Sequence, residues 1–287
     1  MSAVTAASAR RRMVRMPGIL KYSLIALFAV PWVGVPLWLM VVNSFKTQGE
    51  AAELSLALPE QWAIVENFSA VITQGNYLTG LRNSLLVAVP TIIVVLLLGS
   101  AAAWAYARTT SRSFQFFFYV TSLSILLPPA VIPTIYVLTT LQLDGSVAGY
   151  ALMMMGTRMG LVVFLITGFV RSLPLELEEA AAIDGASRLR IFFSLMLPLL
   201  RPVLFVGGVL LVITVWNDFF FGVLLLKTSA NATLPLTLYS FASASTTSLR
   251  WNLVFAHVIM TSLPLVITYL LAQRQVLAGL TEGGLKG

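Results

Sequence analysis

The strongest constraint on this chain is a repeated one: six long apolar runs with almost no charge inside them. They are Tyr22–Val42, Ser84–Tyr106, Phe114–Leu141, Val147–Val170, Pro202–Leu226 and Leu253–Ala272. A helix needs about 20 apolar residues to cross the hydrocarbon core of a bilayer, and each run is of that order. Inside lipid, backbone N–H and C=O groups must be satisfied within the segment or around a closed barrel, and runs this long do so as helices. Charged residues make up 10% of the 287, against about 25% in an ordinary soluble domain. The expected fold class is an all-α polytopic membrane protein with six transmembrane helices.

Orientation follows from Lys and Arg, which collect in segments that stay in the cytoplasm. Residues 1–21 are polar and basic, with Arg10, Arg11, Arg12, Arg15 and Lys21. A basic start before an apolar run also describes a signal peptide. The run is of bilayer-spanning length, however, and no A-x-A cleavage site closes it, so it reads as an uncleaved first span. With the N-terminus inside, 13 of the 18 Lys and Arg residues fall in cytoplasmic segments, 4 fall outside, and Arg158 lies within a span. Both termini are therefore expected in the cytoplasm. The division is a basic N-terminal segment (1–21), a six-span domain (22–272) and a cytoplasmic C-terminal tail (273–287).

Two outer loops are expected, Asn43–Asn83 and Lys227–Asn252, and both are candidates for contact with something outside. Asn67-Phe68-Ser69 and Asn231-Ala232-Thr233 match a short glycosylation pattern. Pro128, Pro129 and Pro133 cluster in the third run, where each removes a helix hydrogen bond and kinks or interrupts the helix. There is no cysteine and one histidine, His257. Disulfides, thiol metal sites and His-rich metal sites are thereby excluded.

One interruption stands out, Pro174–Pro198, PLELEEAAAIDGASRLRIFFSLMLP, between the fourth and fifth runs. It reads as a short helix, a sharp turn at Asp184-Gly185 and a second helix. Ser172 can cap the first helix and Pro174 suits its first turn. Leu175–Ile183 is strongly helix-forming. Ala180 and Ala181 allow close approach by another surface, and Gly185 permits a positive φ. The second helix begins near Ser187, carries Arg188 and Arg190, and stops near Pro198. Two readings compete: an amphipathic segment lying on the inner leaflet, or a handle gripped by a partner, with Glu179 meeting a partner's cationic group.

Glu179-Ala180-Ala181-x-x-Asp184-Gly185-Ala186, then eight residues, then Leu195-x-Leu197-Pro198, resembles the EAA loop of ABC importer permease subunits, with Leu195 where the pattern usually has Ile. Further segments resemble the carbohydrate (maltose-type) permeases. These are Asn43-Ser44-Phe45-Lys46, Glu66-Asn67-Phe68, Asn83-Ser84-Leu85-Leu86, Trp216-Asn217-Asp218, and the tail from Gly279 to Gly287. The resemblance implies a prokaryotic plasma-membrane subunit that forms half of a sugar pathway, for a di- or oligosaccharide, by alternating access. It implies a second permease subunit, two ATPase subunits and an extracytoplasmic solute-binding protein as partners. ATP and Mg would bind the ATPase subunits, and this chain would hold no cofactor of its own. Glu179, Ala180, Ala181, Asp184, Gly185 and Ala186 would form the ATPase-coupling helix and its turn.

Ionisable groups inside a membrane usually face a cavity or a partner group. Arg158, near the middle of its span, either lines the pathway or pairs with another span. Asp218, with Trp216 and Asn217, offers the aromatic and polar groups a sugar site combines, or else serves as a gate or structural pair. His257 reads as a structural histidine, and Met153, Met154 and Met155 as soft packing.

Other classes fare worse. An ion-coupled secondary transporter needs acidic residues in several spans, and only Asp218 is available. The chain has no G-x-x-x-x-G-K-[ST] phosphate loop and so supplies no ATPase. With one histidine and one intramembrane acid, most intramembrane catalytic sets cannot be built. Permeases for other polar solutes, such as a glycerol phosphate, look similar, and Arg158 leaves an anionic solute open.

Overall fold

The computed structural model describes residues 22–23, 27, 29–127, 129–243 and 249–284. The basic N-terminal segment, Pro128 and the tail's last three residues lie outside that set. Every regular element among the described residues is helical. The helices are α1 (Val30–Ser44), α2 (Gln48–Ala52), α3 (Ile64–Gln74), α4 (Tyr77–Arg108), α5 (Arg112–Leu123), α6 (Val131–Thr140), α7 (Val147–Ser172), α8 (Glu176–Ile183), α9 (Arg188–Leu199), α10 (Arg201–Trp216), α11 (Phe220–Leu225), α12 (Leu234–Ser243) and α13 (Trp251–Gly284).

Among the described residues three helices are long and apolar enough to cross a membrane: Tyr77–Arg108, Val147–Ser172 and the Trp251–Leu271 part of α13. The bent pair α9 and α10 makes a fourth if it is one span, and α1 and α6 are shorter apolar helices. α4 has 32 residues and is about 48 Å long at 1.5 Å per residue. It overshoots the ~30 Å hydrocarbon core, so its ends can carry Arg82 and Arg108 beyond the apolar layer.

α4 and α7 form the central pair, and the other helices pack around them. Two apolar clusters fill the interior. One gathers Tyr150, Met154, Trp216, Leu234 and Ala256, and the other Val95, Ile166, Phe192, Met196 and Leu200. Met153 and Met154 are core residues, as soft packing predicts. The end of α5 lies so close to α7 that a Cβ on Gly160 would stand 2.1 Å from Ser124 Oγ and 2.4 Å from the Thr121 carbonyl oxygen. Only glycine permits that approach.

The third run is interrupted, as its prolines imply. It forms α5 and α6, with Ser124–Leu127 and Pro129–Ala130 outside both helices. Pro133 sits in the first turn of α6, where no backbone donor is needed but where its ring would crowd a helical carbonyl four residues back, so α6 starts there rather than continuing from α5. The fifth run corrects an expectation of continuity. It breaks at Asn217–Phe219 into α10 and α11, where side chains engage backbone groups. Asn217 Nδ2 donates to the Ile213 carbonyl at 2.9 Å, and Asp218 Oδ2 accepts from the Gly222 amide at 3.2 Å. The last helix also crosses the expected boundary at residue 272 and runs to Gly284.

The stretch expected as a long loop before Asn83 is folded into a cap. α2, α3 and the first turns of α4 occupy it; its acidic residues Glu53, Glu60 and Glu66 are exposed, while Asn43, Lys46, Asn67 and Asn83 point inward. Asn67 is buried and donates to the carbonyls of Ser44 (2.9 Å) and Lys46 (2.8 Å). Asn252 of α13 donates to Asn67 Oδ1 at 2.7 Å. Lys46 is buried and donates to the carbonyl and hydroxyl oxygens of Ser55, both at 2.9 Å. Asn83 donates to the carbonyls of Ala230 and Ala232, and Ser84 Oγ accepts from the Leu234 amide. The glycosylation patterns therefore fall on committed amides: Asn67 is enclosed, and Asn231 donates to the Gly145 carbonyl at 2.8 Å. The second loop expected outside likewise holds a helix, α12, whose Leu234, Leu236 and Phe241 are buried.

Candidate functional site

At the opposite end of α4 and α7 from the cap, the chain makes an elbow. α7 ends at Ser172, whose hydroxyl donates back to the Phe169 carbonyl at 2.7 Å. It therefore does not cap α8, which corrects the sequence expectation. α8 starts without a side-chain cap but has Glu176, Glu178 and Glu179 in its first turn, where carboxylates meet the positive end of the helix dipole.

The α8 stop is a Schellman motif. The Ala186 amide donates to the Ala181 carbonyl and the Gly185 amide to the Ala182 carbonyl, both at 3.0 Å. Gly185 has φ +78°, the left-handed conformation this stop requires and glycine adopts without strain. Ser187 then caps α9, its hydroxyl accepting from the Arg190 amide at 3.4 Å. α9 widens into a π-helical stretch at Phe192–Met196 and meets α10 at a 75° bend. Pro198 and Pro202 flank that bend; each lacks an amide donor and crowds the carbonyl four residues back.

The elbow has two unlike faces. Ala181 and Ala186 pack toward the apolar cluster of α4, α7 and α9. Glu178 points inward and is only 8% exposed. Its Oε1 accepts from Arg108 Nε and its Oε2 from Trp104 Nε1, both at 2.8 Å. Outward stand Glu179, Ala180, Asp184 and Gly185, with Ile183 86% and Leu189 72% exposed. Of the residues the sequence singled out, Ala181 and Ala186 thus face the chain's own core, and Glu179, Ala180, Asp184 and Gly185 face away. The sequence reading missed Glu178; three acids in one helical turn on a buried-sided helix are the signal that one must find an internal partner.

A second polar cluster lies inside the bundle. Arg158 Nη2 approaches Asp218 Oδ1 at 3.7 Å. Asp218 Oδ2 also accepts from the Tyr150 hydroxyl at 2.5 Å. Asp218 sits in the break between α10 and α11, which frees it to reach α7. Trp216 is buried and donates to the Thr261 carbonyl of α13 at 3.2 Å, whereas Asn217 is exposed. The structure therefore unites Arg158 with Asp218 and sends Trp216 elsewhere. His257 is enclosed, with Thr237 Oγ1 3.4 Å from Nε2 and with Tyr77 and Phe241 against its ring. Among the described residues no cluster of His, Cys, Asp or Glu could hold a metal ion.

The sequence profile of the family described as "Binding-protein-dependent transport system inner membrane component" matches residues 83–276, which include the elbow and the Arg158–Asp218 cluster. The chain belongs to that family. As a family member it is a multi-pass protein of the inner (plasma) membrane, and its relatives are transport subunits rather than enzymes. It is 31% identical to the probable starch degradation products transport system permease protein AmyC of Thermoanaerobacterium thermosulfurigenes, over 89% of this chain and 92% of AmyC. It is 33% identical to the inner membrane ABC transporter permease protein YcjP of Escherichia coli over 88% and 91%, and 29% identical to the diacetylchitobiose uptake system permease protein NgcG of Streptomyces coelicolor over 97% and 91%. Its fold is similar to a chain of a bacterial ABC transporter involved in the import of the acidic polysaccharide alginate, with a TM-score of 0.78, 21% identity, and coverage of 90% of this chain and 95% of that one.

Proposed function

We propose that this family member is the permease subunit of an ABC importer for a di- or oligosaccharide, forming half of the translocation pathway by alternating access. The single observation that carries the coupling role is the outward face of the elbow: a Schellman-terminated helix bearing Glu179, Ile183 and Asp184, joined at one end to α7 and at the other, through α9, to α10. An ATPase that closes on ATP can act on a distant pathway only through an element joined to both. In this reading the elbow faces the cytoplasm, as do both termini, and the cap faces outward. The six spans are α1, α4, α5 with α6, α7, α10 with α11, and α13.

The partners in this reading are a second permease subunit, two ATPase subunits that bind ATP and Mg, and a solute-binding protein at the cap. The starch-product and diacetylchitobiose systems of the relatives support a sugar as solute. Pairing of Arg158 with Asp218 supports a neutral sugar over an anionic solute such as a glycerol phosphate, since the arginine's charge is already answered within the chain. The cluster then contributes hydroxyl, carboxylate and guanidinium groups to the pathway wall.

The test is Glu179→Lys in the importer expressed with its partners. Membrane insertion is expected to persist and ATP-driven sugar uptake to be lost. Normal uptake by that variant would overturn the coupling role.

A further inference from the structure

The elbow is joined to the bundle at a point its chain connections do not supply. Trp104 and Arg108 lie one turn apart on the last stretch of α4, so their side chains share a face. Together they hold three pieces of the elbow. Arg108 Nε and Trp104 Nε1 each donate to a different oxygen of Glu178 on α8, at 2.8 Å. Arg108 Nη2 donates to the Leu173 carbonyl at 3.0 Å, in the link between α7 and α8. The Trp104 ring stacks on Phe192 of α9, with centroids 5.8 Å apart and planes 26° apart.

The chemistry makes this joint directional. A carboxylate this enclosed must be paired, because burying an unanswered charge is costly. With both oxygens engaged by donors from one helical turn, α8 can neither slide along α4 nor roll against it without breaking a charge-assisted hydrogen bond. Apolar packing alone would leave such sliding cheap. The Leu173 contact also prevents the α7–α8 link from hinging independently.

We infer that Glu178 is a positioning residue of the transport cycle, locking α8 to the end of α4 so that a displacement of the elbow moves α4 together with α7 and α10. This rests on the reading of the elbow as the ATPase contact. Glu179 and Glu178 then divide the work of adjacent carboxylates: the first faces the partner and the second faces the chain's own membrane helix.

The chain's lack of cysteine makes the test direct. Nitroxides are placed at Glu176→Cys on α8 and Ser111→Cys just beyond α4, in the importer assembled with its permease and ATPase partners. The interlabel distance distribution is measured without nucleotide and with MgATP plus vanadate. With Glu178 intact, one narrow distribution is expected in both states. With Glu178→Gln, the distribution should broaden at least twofold in the vanadate state. The exchange Glu178→Arg with Arg108→Glu should narrow it in part, because it restores the ion pair but leaves the Trp104 N–H and the Leu173 carbonyl without partners; a merely space-filling role would give no recovery. If Glu178→Gln fails to assemble, Trp104→Phe carries the test, since it keeps an aromatic ring against Phe192 and deletes one donor; broadening is again expected. Distributions identical to the parent in both states would overturn the inference. A photo-crosslinking residue at Leu189 separates the two proposals: capture of an ATPase subunit with unchanged distances refutes only the Glu178 lock, whereas absence of capture refutes the coupling reading beneath it.

Discussion

Arg158 of α7 and Asp218 in the break of the fifth apolar run stand 3.7 Å apart, with Asp218 also accepting from Tyr150. The pair explains how a chain can carry an arginine near the middle of an apolar helix. It also explains the helix break, because a continuous helix would hold Asp218 to its own turn. The Asp218 side chain is 7% exposed and that of Arg158 25%, so removing the acid leaves a poorly solvated charge.

Asp218→Ala should therefore destabilise the protein by about 1–3 kcal/mol, the cost of an unsatisfied buried charged group tempered by partial exposure. Tyr150→Phe, which deletes a single donor, should cost about 1 kcal/mol. The double variant Arg158→Met/Asp218→Leu should recover much of the Asp218→Ala loss, because replacing both partners removes the orphan charge. Thermal unfolding of the purified protein in detergent gives the ranking.

Gly185 holds the left-handed turn that ends α8. Gly185→Ala should cost about 1–2 kcal/mol from the clash of Cβ with backbone in that conformation, and Gly185→Asn less, since asparagine tolerates it better. No atom beyond the adjoining residues lies within 4 Å of the added Cβ, so the penalty is conformational and should be the same with alanine and serine. Melting temperatures of the three variants test this.

Gly160→Ala should cost about 1–3 kcal/mol, the range for overpacking a fitted contact. Combining it with Ser124→Ala should relieve only part of the loss, because the Thr121 carbonyl oxygen still stands 2.4 Å from the new Cβ. A double-variant cycle on thermal stability checks the partial recovery.

Asn67→Ala should loosen the cap by about 1–3 kcal/mol, since it strips the donor from two carbonyls and the acceptor from Asn252. Protease cleavage between α1 and α4 should accelerate by about tenfold or more, as cleavage of a transiently opened state tracks its population. Asn67→Asp should cost at least as much as Ala, because it keeps the acceptor for Asn252 but sets a carboxylate oxygen against the Ser44 and Lys46 carbonyls in an enclosed site.

Apolar run length alone made the α4, α7 and α13 helices legible, since the bilayer's thickness leaves little choice of structure. The elbow was legible as helix–turn–helix from Gly185 and the helix formers around it, and its end at Pro198–Pro202 from missing donors. The break at Asn217–Phe219 was hidden because run length says nothing about a side chain that captures its own backbone. The inward turn of Glu178 was hidden because its partners, Trp104 and Arg108, lie far away in sequence. Likewise, the motif asparagines Asn43, Asn67 and Asn83 read as loop residues until the fold showed them bonding carbonyls of distant segments.

The amide contact from Asn252 to Asn67 joins residues 185 positions apart. Asn67 leaves the ribosome early and Asn252 late, and with no cysteine in the chain nothing covalent can close the cap in between. The cap is therefore sealed only once the start of the last helix has been synthesised. A chain truncated before that helix carries an open cap, and protease sensitivity of the cap becomes a reporter of whether synthesis of the subunit has reached its last helix.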